Sequence, residues 1–299
     1  MKERSPIEIG MARTTKVLFL GTYPPRRCGI ATFTYDLVDA FDNVFAPAIK
    51  AVVAAINYNG ASKKPKYSSR VVLEINQDKI EDYKIAAKEI NRDRDIELVC
   101  IQHEFGIFGG AFGSNLKYFL AELRKPAVMT LHTVLPDPKP AMEAVIKPLL
   151  ERVSYLVVMS KNSKEILISK YGINPRKIFI IDHGIHPVEF EPSEKFKKAL
   201  GMQDKQVIST FGLLNSGKGI EYVLDAIPEL IHKFPNLLYL VIGATHPLVL
   251  KNEGEKYRNF LLEKVNKLNI QKHVLFYNRY LEVDRLLKLL QATDVYIAP

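Results

Sequence analysis

The sequence predicts an α/β protein of two doubly wound, Rossmann-like domains, the second incomplete. Three observations carry this. Short β-branched runs alternate with amphipathic stretches along the chain. The runs are apolar nearly throughout, as in parallel strands covered on both faces. The rhythm breaks over 183–196 and then restarts.

The elements follow in order. KVLFLG (16–21) reads as the first strand and Ala31–Phe41 as the first helix. Strands are expected at 49–57 and 70–75. A helix follows at 79–92, where Ile80, Tyr83, Ile85, Ala87 and Ile90 share a broad face. ELVCIQ (97–102) is a buried strand, with helix 114–123, strand 126–132, helix 140–152, strand 154–160, helix 161–171 and strand 177–182 after it. Gly172 suits the end of the last helix.

Residues 1–186 therefore form the first domain. Pro187 and Pro192 mark 187–199 as a linker, and the second domain runs from 200 to 299. Its strands are expected at 206–212, 237–243, 273–277 and 294–299, with helices at 219–234, 253–268 and 283–290. The sequence stops on a strand that reads as buried, so a complete second sheet would need further chain.

Composition limits the function classes. Of 299 residues 47% are hydrophobic and 25% charged, enough for a core in each domain. No apolar run is long enough for a membrane span. The polar start MKERSPIEIGMARTTK lacks the apolar core of a signal peptide and reads as a loose tail, with Met11 as an alternative start. Cys28 and Cys100 are far apart, without metal-ligand spacing, which fits a reducing cytoplasm. The net charge of +9 favours anionic ligands, but the basic residues are scattered, which argues against nucleic acid.

In open parallel sheets ligands bind beyond the carboxyl ends of the strands. Five loops qualify. In the first, from Gly21 to Ile30, Gly29 lets backbone approach an anion at a helix start, although the GxGxxG spacing is absent. The second holds His103 and Glu104, polar groups suited to sugar hydroxyls, followed by glycines at 106, 109, 110 and 113. The third is Leu131-His132-Thr133, where His132 can serve a transition state. The fourth runs from Phe211 to Ile220. It places Gly212, Ser216 and Lys218 around a glycine-rich turn suited to phosphate, though it is not a P-loop. The fifth holds Arg279 and Tyr280, suited to a phosphate or a base. Each loop also has a plain structural reading, as a turn, a helix start or a solvated polar end. His246, after the strand at 237–243, could reach the same ligand or cap the next segment.

FGLLNSGKGIEYVLDAI and HVLFYNRYLEVDRLLKLLQATDVYIAP resemble the second domain of the family 4 (group 1) glycosyltransferases of the GT-B fold. The loop with Gly29, the Leu131-His132-Thr133 segment and the break near His183-Gly184-Ile185 resemble that family's first domain and its crossing to the second. The resemblance covers about 16–299. It implies two Rossmann-like domains facing a cleft, with a nucleotide diphosphate sugar mainly on the second and a sugar acceptor mainly on the first. It implies transfer of a mannose or glucose type of sugar with retention, without a metal or other cofactor. By likeness, Lys218 binds phosphate, Gly29 lies near the donor diphosphate and His132 lies close to the transferred sugar.

Two departures stand out. Leu213 follows Gly212 where the family commonly has Arg; Arg26, Arg27 and Arg279 are candidates for the missing charge. The family's acidic pair and its last helix would fall beyond Pro299, so low activity and an exposed apolar sheet edge are expected of this form. The competing readings are a nucleotide-sugar epimerase and a non-catalytic nucleotide- or glycan-binding protein. A glycan, lipid or small-molecule acceptor all fit, as does a peripheral membrane location; donor base and oligomeric state stay open.

Overall fold

Alternation of side chains builds the first sheet. In β1 (Thr15–Gly21), Val17 and Phe19 join the core on one face while Leu18 and Leu20 join the core on the other. The computed structural model describes residues 14–58 and 65–299; the tail expected at the start lies outside the described residues for 1–13. The chain divides into two units that meet between Ile185 and His186.

The first unit continues with α1 (Gly29–Phe45), β2 (Ile49–Asn57), β3 (Val71–Asn76), α2 (Ile80–Arg92), β4 (Ile96–His103), α3 (Leu116–Glu122) and β5 (Ala127–Leu131). After these come α4 (Pro140–Arg152), β6 (Tyr155–Val158), α5 (Lys161–Ser169) and β7 (Ile178–Ile180). Its seven strands are parallel, in the order β3-β2-β1-β4-β5-β6-β7. Strand order reverses between β1 and β4, and a crevice forms at such a switch point. Helix α2 shows how sequence sets this packing. Tyr83, Ala86, Ala87 and Ile90 recur at helical spacing and are buried, while Glu81 and Asp82 favour its N-terminal end.

The second unit holds α6 (Ser193–Ala199), β8 (Gln206–Phe211), α7 (Ile220–Lys233), β9 (Leu237–Ile242), α8 (Pro247–Glu253), α9 (Lys256–Lys267), β10 (Val274–Tyr277), α10 (Val283–Gln291) and β11 (Val295–Tyr296). Its parallel order is β10-β9-β8-β11, with the switch point between β8 and β11. Every residue of β9 is buried: Tyr239 and Val241 pack on one face, Leu238, Leu240 and Ile242 on the other. The Tyr239 hydroxyl donates to Thr210 Oγ1 at 2.8 Å, and Thr210 donates to the Ile297 carbonyl at 2.9 Å. This relay ties β8, β9 and the segment after β11 together. Burial pushes the Tyr239 phenol up to about 12, so it stays a donor.

Three expected elements differ. The segment read as a linker ends in α6, because Pro192 sits at the helix start, where it disrupts nothing, rather than breaking a helix. Lys197 of α6 is 5% exposed and pairs with Asp294 at 2.7 Å, which fixes the helix to the second unit. The helix expected at 253–268 forms as α9, but a short helix not expected from the sequence, α8, precedes it across Gly254. The last strand pairs only through Val295 and Tyr296, both about half exposed. Among the described residues no helix is long and apolar enough to cross a membrane.

Candidate functional site

Each unit carries a polar loop cluster beyond its own switch point. In the first unit, β1 ends at Gly21 and Thr22. Thr22 is fully buried, its hydroxyl 3.2 Å from Cys28 Sγ. Helix α1 then begins at Gly29 with no side-chain cap and no acidic residue in its first turn. A Cβ added at Gly29 would meet no atom within 4 Å, so the helix start is open. Arg26, a candidate for the missing diphosphate charge, is engaged elsewhere. It donates to the Ile56 carbonyl at 3.2 Å and to Gln77 Oε1 at 3.3 Å, and lies over the Tyr58 ring.

His132 follows β5. Its Nε2 lies 3.0 Å from Gln102 Oε1. The ring meets Phe33 edge-on, with centroids 4.7 Å apart and planes at 85°, and Phe33 meets His183 at 5.0 Å. Burial, then the charge of His183, lowers the His132 pKa to about 4, so the ring is neutral at pH 7. A neutral imidazole held by a hydrogen bond and an aromatic edge can exchange hydrogen bonds with a hydroxyl without carrying charge.

The two neighbouring polar residues of β4 and its loop behave differently from expectation. His103, expected to face sugar hydroxyls, is fully buried among Phe105 and Phe108, at centroid distances of 5.3 and 5.9 Å. Its ring nitrogens have no hydrogen-bond partner among the described residues, and burial, then His132, lowers its pKa to about 4. The reason is strand parity: Gln102 and His103 are successive, so they point to opposite faces of β4. Glu104 spends one carboxylate oxygen on its own loop and the other on the loop after β5. Oε2 accepts from Thr133 Oγ1 at 2.6 Å and Oε1 from the Phe105 N–H at 2.8 Å. It joins the β4 loop to the residue after His132. Gln102 opens the second candidate loop but has no role of its own in the sequence reading; its signal is an amide closing an apolar strand.

In the second unit, Gly212 and Gly243 follow β8 and β9 with φ of +143° and +142°. A Cβ on Gly243 would stand 2.0 Å from the Gly212 carbonyl oxygen, so the strand ends meet at backbone distance. The Gly212 N–H donates to the Ile242 carbonyl at 2.9 Å, and the Gly243 N–H to that of Tyr277 at 3.0 Å. Asn215 Oδ1 accepts from the Gly217 N–H at 2.9 Å and starts the single 3-10 turn Ser216–Lys218. Ser216 is exposed on this turn.

Lys218 folds back over Gly212, where an added Cβ would be 3.0 Å from Nζ. No carboxylate pairs with Lys218 among the described residues. Gly212, Ser216 and Lys218 are thus brought together on one turn. Arg279 and Tyr280 are not: they follow β10, two strands from β8, roughly 10 Å across the sheet. The Arg279 N–H donates to the Tyr277 carbonyl at 2.9 Å, and its side chain is exposed. His246 donates its N–H to the Leu214 carbonyl at 3.0 Å, which ties the loop after β9 to the Lys218 turn. Among the described residues no three His, Cys, Asp or Glu side chains gather as a metal site.

Residues 29–189 match the family described as Glycosyltransferase Family 4, and residues 192–299 match Glycosyl transferases group 1. An uncharacterized glycosyltransferase of Methanocaldococcus jannaschii is 26% identical over 202 residues, 62% of this chain and 48% of the relative. The chain thus spans about half the length of that relative. Sucrose-phosphate synthase from Thermosynechococcus elongatus superposes with a TM-score of 0.74 at 14% identity, covering 95% of this chain and 75% of that one. The Anabaena protein HepE, solved in complex with UDP, superposes at 0.68 and 16% identity, covering 95% and 74%. These likenesses show the GT-B fold of two Rossmann-like units.

Proposed function

We infer, since this chain belongs to glycosyltransferase family 4, that the protein transfers a hexose from a nucleotide diphosphate sugar to a sugar-bearing or lipid-linked acceptor. In this reading the second unit holds the donor diphosphate. The Lys218 ammonium faces the phosphate oxygens, and the amides of the turn after Asn215 supply further donors. When the bond from the anomeric carbon to the diphosphate breaks, these groups take up the charge on the leaving oxygen without a metal. The acceptor hydroxyl forms the new bond to the anomeric carbon and gives its proton to the departing diphosphate oxygen. His132, neutral and held by Gln102, serves the transferred sugar. Configuration is retained, as in the family the sequence resembles.

One observation carries the reading: Lys218 is held over Gly212 on a glycine-built turn beside the β8–β11 switch point, with no carboxylate paired to it among the described residues. HepE in complex with UDP and with UDP-glucose supports a nucleotide sugar of this class. The net charge of +9 suits an anionic or lipid-linked acceptor.

The test is calorimetric titration of GDP, UDP and ADP into the protein and into Lys218→Ala. Binding of one nucleotide that Lys218→Ala weakens by about 10- to 100-fold supports the donor site, since a charge-assisted hydrogen bond is worth roughly 1.5–3 kcal/mol. Equal affinity in both proteins would remove Lys218 from the site. Binding of UDP or GDP names the donor base.

A further inference from the structure

We propose that Gln102 is a positioning residue for His132: its amide oxygen takes the Nε2–H of the ring and leaves Nδ1 as a hydrogen-bond acceptor for a substrate hydroxyl. This rests on the reading of His132 as a group that serves the transferred sugar. The geometry comes from three elements of the first unit. Gln102 closes β4 and is fully buried. Its Cβ lies 3.1 Å from where a Gly21 Cβ would stand, so β1 comes against it closely because residue 21 lacks a side chain. Its Oε1 is 3.0 Å from His132 Nε2. The amide oxygen can only accept, so in the proposed arrangement the proton sits on Nε2, while the Gln102 Nε2 group has no partner among the described residues. Phe33 of α1 meets the ring edge-on at 4.7 Å and limits its rotation. Nδ1 makes no hydrogen bond among the described residues and is not among the buried unpartnered atoms.

The consequence differs from a generic histidine role. A ring in this tautomer accepts from a sugar hydroxyl and does not donate to a leaving oxygen. The charged and titratable groups around it agree with neutrality. Burial, then His183 after β7, disfavours a charge on His132, His103 on β4 is itself kept neutral by burial, and Glu104 is committed to Thr133 and the Phe105 N–H. Gln102 has no charge, so it orients the ring without drawing a proton onto it, as a carboxylate would.

The experiment is long-range proton–nitrogen NMR of the ring nitrogens in the full chain at pH 7, with His132 assigned by its loss in His132→Gln. Nε2 protonated and Nδ1 bare is the expected result. In Gln102→Glu the His132 titration midpoint should rise by about one pH unit or more, the shift a neighbouring carboxylate produces. In Gln102→Met both tautomers should appear. A wild-type ring protonated on Nδ1, or a midpoint unmoved in Gln102→Glu, overturns the proposal. The wild-type spectrum decides even where a variant fails to fold. With the donor named by titration, Gln102→Met should lower kcat while leaving nucleotide affinity unchanged. If no nucleotide binds, the transferase reading fails while the tautomer result stands on its own.

Discussion

The Lys218 ammonium rests against the Cα of Gly212: a Cβ there would stand 3.0 Å from Nζ and 3.3 Å from Cε. The two residues make one device, since the missing side chain is what lets the charge lie over the strand end. Gly212 also holds φ at +143°, which L side chains rarely adopt. Gly212→Ala should cost roughly 1–3 kcal/mol of stability in the second unit through backbone strain. It should also displace Lys218 and weaken nucleotide binding. Lys218→Met should weaken binding with the melting temperature nearly unchanged. Equal melting temperatures for both variants would show that the glycine is not required by the backbone.

Asp294 anchors α6 to the second sheet. Its carboxylate accepts from Lys197 Nζ at 2.7 Å, from the Val207 N–H at 2.7 Å and from Ser193 Oγ at 3.1 Å. Asp294→Ala leaves the buried Lys197 ammonium unpaired and should cost about 3–5 kcal/mol. Partial burial pushes the Asp294 carboxyl up, but the Lys197 and Val207 hydrogen bonds outweigh it and hold the pKa below 3.8. A depressed folded pKa means that this stabilisation is complete above pH 3.8 and is lost as pH falls through the folded value. Replacing both partners, Asp294→Leu with Lys197→Met, should restore much of the loss. Denaturant unfolding of the single and double variants checks this, and a double variant as unstable as Asp294→Ala would refute the pairing argument.

Much of this fold is legible from periodicity. β2 and α4 fall at 49–57 and 140–152 as the pattern predicts, because their apolar residues recur at the strand and helix periods. What escaped depends on contacts between distant residues. The helix Ser193–Ala199 is fixed by Asp294, nearly a hundred residues away, so local proline content misled. The site shows the same division. The Lys218 turn is read from local glycines, and its geometry follows from them. His103 and Gln102 are adjacent letters, and nothing local says which side of β4 faces the hydrophobic pair Phe105 and Phe108.

His103 gives a sharp test of that reassignment. Its ring is wholly buried with both nitrogens unpartnered among the described residues, an arrangement that costs stability. His103→Leu removes the unpaired groups and keeps an apolar side chain of similar size. It should leave stability unchanged or raise it by about 1–2 kcal/mol, and it should leave transfer activity intact. A loss of activity with an unchanged melting temperature would return His103 to the acceptor site.

Acid should loosen the first unit before the second. His103 and His132 both have pKa values lowered from 6.5 to about 4, chiefly by burial. Between those values the unfolded chain holds protons that the folded chain does not. Stability therefore rises with pH across this window, is complete above about 6.5, and falls as pH drops toward 4. Each histidine contributes a slope of up to about 1.4 kcal/mol per pH unit. In the second unit the Asp294 contribution fades only as pH falls below 3.8, and one histidine, His246, also has its pKa lowered by burial, against two in the first unit. With no tryptophan in the chain, hydrogen exchange read by mass spectrometry is the suitable probe, because it reports the two units separately. Protection in β4 and β5 should fall between pH 6.5 and 4.5 by more than that in β8 and β9, where His246 alone adds a smaller loss. His103→Leu should roughly halve the effect. Equal loss in both units over this range would show that the buried histidines do not govern it.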